Sequence, residues 1–74
     1  DVYKRQVLIY DAKAHRMDIR LDLDNYCGGL CCGQCIEVLF DGRWISTRIE
    51  MADDWYLVDV PTRNLVGLRV RIPV

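Results

Sequence analysis

Residues 16–23, RMDIRLDL, alternate apolar and polar without a fault. Met17, Ile19, Leu21 and Leu23 fall on one side of the chain, and Arg16, Asp18, Arg20 and Asp22 on the other. That period of two is the signature of a half-buried strand. VLIY at 7–10 is a short apolar run, and the polar DAKAH at 11–15 reads as the loop of a hairpin joining the two. The strongest local signal is CIEVLFDGRWISTRIEM, in which Asp41-Gly42 separates two β-rich runs. Asp-Gly is favoured in two-residue hairpin turns because both central positions need positive φ. With those two residues as the loop, Phe40 faces Arg43, Val38 faces Ile45 and Ile36 faces Thr47. One face then carries Ile36, Val38, Phe40, Ile45, Thr47 and Ile49, and the other Cys35, Glu37, Leu39, Trp44, Ser46, Arg48 and Glu50.

MADDWYLVDV implies another hairpin around Asp53-Asp54. An even-numbered loop there pairs Met51 with Tyr56, Ile49 with Val58 and Thr47 with Val60. It puts Arg48 opposite Asp59 and turns Trp55 and Leu57 outward. TRNLVG after Pro61 reads as a connection with one helical turn, and LRVRI at 68–72 closes the chain as a strand with Leu68, Val70 and Ile72 inward. Six short strands and almost no helix predict an all-β fold: a strongly curved antiparallel sheet of five to six strands closed into a small SH3-like barrel. Residues 7–74 form that single domain. The leading string DVYKRQ, residues 1–6, has no initiator Met and resembles the translated adapter sequence found at the ends of metagenomic reading frames, so it is set aside as a non-native leader.

At 74 residues and 8.6 kDa the chain has a core barely large enough to fold alone, which makes any added staple important. Ten Lys and Arg against eleven Asp and Glu give a net charge of −1, so there is no global pull toward nucleic acid. No apolar run approaches the length of a membrane span, and no membrane partner is expected. The default setting is the bacterial cytoplasm.

The stretch from YCGGLCCGQCIEVLFDGRWISTRIEMADDWYLVD through LVGLRVRI resembles a family of small bacterial domains catalogued as domain of unknown function 5348. The likeness rests on the Gly-Gly-Leu stretch, a Cys-Gly segment leading into a strand, DGRW followed by TRIE, the WYLV strand and the terminal GLRVRI. It covers the last two thirds of the chain closely and the first hairpin loosely. Such a resemblance implies a small protein of anaerobic gut bacteria, in some cases carried by a mobile element, and implies no particular chemistry. The family pattern lacks cysteine at Cys27 and Cys31, so a four-cysteine site is not implied either.

Three groups of residues are candidates for function. All four cysteines lie in CGGLCCGQC, and Cys32 and Cys35 have the C-x-x-C spacing of a zinc half-site or a redox pair. Cys27, Cys31 or His15 would have to complete a metal site, while free thiols in a turn are the default for a reducing compartment. No cofactor is expected beyond zinc as that staple. Trp44 and Trp55, both on the expected outward face, either cover the core or form with Arg48 a recognition platform for a protein or peptide, or for a stacked base. Arg16, Arg20, Arg48, Arg69 and Arg71 all project outward, but Asp18, Asp22, Glu37, Glu50 and Asp59 share those faces. A mosaic of cross-strand ion pairs is therefore favoured over a phosphate track. One His and no Gly-rich phosphate loop give no support for an enzyme. The expected function is a non-catalytic binding module. The alternatives are a zinc-stapled domain and a nucleic-acid-binding accessory protein.

Overall fold

The computed structural model describes residues 6–22 and 25–72. The chain is all-β, with seven strands among the described residues: β1 Val7–Asp11, β2 Arg16–Asp22, β3 Asn25–Tyr26, β4 Cys35–Phe40, β5 Arg43–Met51, β6 Trp55–Leu57 and β7 Val70–Arg71. They form two antiparallel sheets, β1-β2-β3 and β6-β5-β4-β7. The described residues contain no helix, and therefore none long and apolar enough to cross a membrane.

The Asp41-Gly42 hairpin has the expected register, with Phe40 facing Arg43, Val38 facing Ile45 and Ile36 facing Thr47. Both turn residues have positive φ, 54° and 79°, as a two-residue primed turn requires. The first hairpin also forms, pairing Tyr10 with Met17 and Asp11 with Arg16. In its loop the Asp11 carboxylate accepts the N–H groups of Lys13 (3.0 Å) and Ala14 (3.3 Å), an Asx turn, and His15 takes the left-handed conformation (φ 54°). Leu23, expected to end β2, lies outside the described residues, as do residues 1–5 of the proposed leader. Gln6 is described, and its carbonyl accepts the Val70 N–H.

The second hairpin differs from expectation by one residue. Ile49 faces Leu57, Glu50 faces Tyr56 and Met51 faces Trp55, so the loop is Ala52–Asp54, three residues rather than the expected even number. The Asp54 carboxylate takes the Trp55 N–H (2.8 Å), and the Ala52 N–H donates to the Asp54 carbonyl (3.1 Å). Because strand side chains alternate, this slip reverses every face: Leu57 is buried, Trp55 packs on the core, and Val58, not Asp59, lies opposite Arg48.

Two turns of the same design knit the sheets together. In Cys31–Gln34 the Gln34 N–H closes onto the Cys31 carbonyl, with Gly33 third at φ 85°. In Leu65–Leu68 the Leu68 N–H closes onto the Leu65 carbonyl, with Gly67 third at φ 93°. Each glycine and its successor then face a single strand residue. Ile49 accepts from Gly33 and donates to Gln34, and Leu8 accepts from Gly67 and donates to Leu68. This is the glycine bulge, in which left-handed glycine lets two residues oppose one. The expected helical turn in TRNLVG is thus the second of these turns. Beyond it, Val7 bridges Arg69, the Leu39 N–H donates to the Arg69 carbonyl, and Val70 pairs with Val38, so the C-terminal segment bonds to both sheets.

Between the sheets lie Leu8, Met17, Ile19, Leu30, Ile36, Val38, Ile49, Leu57, Val60, Leu65 and Val70, with Leu21, Phe40, Ile45, Trp55 and Leu68 against them. Ile72, expected inward, is exposed, and Asp18, expected outward and solvated, is buried. Leu30 reaches the core because Gly28 and Gly29 both take positive φ, which lets the chain kink while Cys27 and Leu30 donate to the Ile19 and Met17 carbonyls of β2. At Gly29 a Cβ would also come within 2.5 Å of the Arg16 side chain.

Candidate binding surfaces

The fold separates the residues that the sequence grouped. Trp44 and Arg48 lie on the outward face of β5, alternating with Ser46, whereas Trp55 lies on the inward face at the far end of the sheet.

On the outward face Trp44 is engaged from within the chain. Its ring is covered by the Arg71 guanidinium, 4.2 Å from the centroid, and Arg71 donates to Glu37, its cross-strand partner, at 2.5 Å. Ser46 reaches the other Glu37 oxygen at 3.4 Å. Of the cross-strand ion pairs expected among the arginines, Arg71–Glu37 is the one found among the described residues, and the expected Arg48–Asp59 pairing is replaced by Arg48 opposite Val58. Arg48 stands farther along, opposite Cys35, and is exposed.

The cysteines are not gathered. Cys27 runs beside β2, Cys31 and Cys32 occupy the glycine-bulge turn, where the Gln34 side chain accepts the Cys31 N–H (3.2 Å), and Cys35 starts β4 opposite Arg48. All four are exposed and unpaired. His15, Cys31 and Cys32 border one shallow hollow. Even so, no group of three His, Cys, Asp or Glu among the described residues is arranged to hold a metal ion. The zinc-site expectation on Cys32, Cys35, Cys27 and Cys31 therefore finds no assembled ligand set. The Cys27 thiol is pushed above its ordinary value, first by partial desolvation and then by the negative charge of Asp18.

Sequence reasoning missed a groove of about 290 Å³ at the end of the sheets, built around Trp55. The cross-strand pair Tyr10 and Met17 forms one wall, and Leu65 with Val66, held out by the Gly67 turn, forms another. Asp54, Arg63 and Asn64 supply its polar groups. Asp54 is occupied with the Trp55 N–H, and the Asn64 N–H donates to the Thr62 hydroxyl (3.2 Å). Val66 is 57% exposed, a large apolar surface that the fold itself does not use. The volume is at the small end for ligand pockets and suits one bulky side chain better than a whole cofactor. Finding this groove requires the three-residue loop length at 52–54, which sequence alone does not give.

Comparison with known proteins agrees with this architecture. A protein from Ruminococcus gnavus, whose crystal structure was determined as a structural-genomics target, is similar at 49% identity with a TM-score of 0.85, over 90% of this chain and 97% of that one. No curated protein matches the chain. The model of one family matches residues 6–72, nearly the whole length, a span that contains this chain's DGRW, TRIE, WYLV and GLRVRI; the chain belongs to the family described as Domain of unknown function (DUF5348).

Proposed function

We propose that the protein is a non-catalytic interaction module, a small SH3-like barrel of the bacterial cytoplasm that binds an extended segment of a protein partner in the Trp55 groove. The barrel reading is supported by the hydrogen bonds that tie the C-terminal segment to both sheets. Four exposed, unpaired thiols suit a reducing compartment.

The observation that carries the reading is the groove itself: Trp55, Tyr10 and Arg63, the residue types that dominate binding energy at interfaces, border one concave site beside the exposed Val66. Asp54, which accepts the Trp55 N–H, and Arg63 put one charge of each sign on the groove's rim, and Arg63, in no ion pair among the described residues, is the group there that can anchor a partner's carboxylate. The occupant is therefore a segment with a bulky apolar side chain beside an Asp or Glu. Trp44, its ring covered by Arg71, and Arg48 belong to a separate face.

The test is to pan a random peptide library displayed on phage against the folded protein and measure the affinities of the selected peptides. Selected peptides should share an apolar residue next to an acidic one. They should lose affinity roughly tenfold or more on Val66→Asp and less on Arg63→Glu, and keep it on Trp44→Ala. Peptides that are indifferent to Val66→Asp, or no enrichment at all, would overturn the reading.

A further inference from the structure

Tyr10 also borders a second depression, of about 560 Å³, lined as well by Ile9, Asp11, Ala12, Lys13, Asp18 and Tyr26. Asp18 is the unusual member. Strand alternation puts it on the polar face of β2, opposite Ile9, yet it is only 4% exposed. Its carboxylate accepts the Ile19 N–H at 2.7 Å, and among the described residues it joins no ion pair. A backbone N–H satisfies an oxygen without neutralising its charge, and a buried carboxylate is costly until a cation matches it. The charge is felt locally, since it contributes to raising the neighbouring Cys27 thiol. Two tyrosines border the same depression, Tyr10 46% exposed and Tyr26 50% exposed. Aromatic faces attract cations through their quadrupole, and rings around a carboxylate are the usual receptor for organic ammonium groups.

We propose that the depression formed by Tyr10, Tyr26 and Asp18 binds an organic ammonium ion, either a free methylated amine or the methylated side chain of a lysine. The Asp18 carboxylate takes the charge and the tyrosine rings take the methyl groups. A bare metal ion does not fit, because no three acidic, His or Cys side chains converge there. Lys13 opposes the ligand, and Asp11, in the same lining, favours it. The inference goes beyond the groove reading and stands on different residues except Tyr10.

The test is a titration followed by amide NMR shifts, using choline, its neutral isostere 3,3-dimethylbutan-1-ol, and a short peptide carrying trimethyl-lysine. Choline or the peptide should move the signals of 9–13, Asp18 and Tyr26, and the tighter of the two identifies the source of the ammonium. The neutral alcohol should bind several-fold more weakly. Tyr26→Phe keeps the ring and should keep the affinity, Tyr26→Leu should lose about three- to fivefold, and Lys13→Ala should gain. Asp18→Asn should abolish binding; if it unfolds the protein, the Tyr26 and Lys13 variants still decide. Equal binding of choline and the alcohol, Tyr26→Leu matching the parent, or no shift with either cation would overturn the proposal.

Discussion

Gly33 offers a direct test of how the cysteine-rich loop is built. It has φ 85°, the hydrogen bonds of the glycine bulge pass through it, and a Cβ placed there meets nothing within 4 Å. Steric crowding therefore drops out, and only the backbone remains. An L-residue in left-handed geometry costs about 1–2 kcal/mol. Alanine also narrows the unfolded ensemble, which returns roughly 0.4–1 kcal/mol. The net for Gly33→Ala is a loss of about 1 kcal/mol, which for a domain of this size lowers Tm by roughly 4–8 °C. D-alanine, placed by chemical synthesis, keeps the unfolded-state gain without the strain and should raise Tm by a few degrees. Circular dichroism melts in reductant measure both. If L-alanine is neutral, or D-alanine is as harmful as L-alanine, the bulge reasoning fails.

Further outcomes follow from other contacts. Gly29→Ala should cost more than Gly33→Ala, since φ is 104° and the new methyl meets Arg16, and paired melts will rank them. The buried Thr47 hydroxyl donates to the Val58 carbonyl at 2.6 Å where β6 ends. Thr47→Val strands that carbonyl and should cost about 1–2 kcal/mol in urea unfolding. Trp44 and Arg71 should show a coupling of about 0.5–1 kcal/mol in a double-mutant cycle, since the pair is partly solvated. The Cys27 thiol, raised by partial desolvation and by Asp18, should be alkylated more slowly in the folded protein than in the unfolded chain near pH 8, with Asp18→Asn narrowing the gap. Because the fold holds that proton more tightly, this group's share of stability is present below the ordinary thiol range and is lost as pH rises through it.

The sequence made some of this legible for identifiable reasons. Asp41-Gly42 fixes a loop length, so the register of β4 on β5, and with it the buried row Ile36, Val38, Thr47 and Ile49, could be read directly. Asp53-Asp54 carries no such constraint. The actual loop includes Ala52, and that one residue moves Trp55 from a supposed platform with Trp44 to a groove elsewhere. The two glycine bulges were hidden because each depends on a strand distant in sequence, Ile49 for Gly33 and Leu8 for Gly67. Asp18 was hidden because alternation describes one strand and says nothing of what Tyr10 and Tyr26 bring to it. The four cysteines, all within residues 27–35, separate because Cys27 runs beside β2, Cys31 and Cys32 sit in the turn at 31–34, and Cys35 starts β4.

The two tryptophans make the central claim measurable in one spectrum. In a nitrogen–proton correlation experiment each gives its own indole N–H signal, assignable with Trp44→Phe. Titrating a selected apolar-acidic peptide should shift the Trp55 indole together with the amides of Tyr10, Leu65 and Val66, and leave the Trp44 indole in place. A shift centred on the Trp44 indole and Arg48, with Trp55 unmoved, would put the contact surface on the outward face of the sheet and contradict the account.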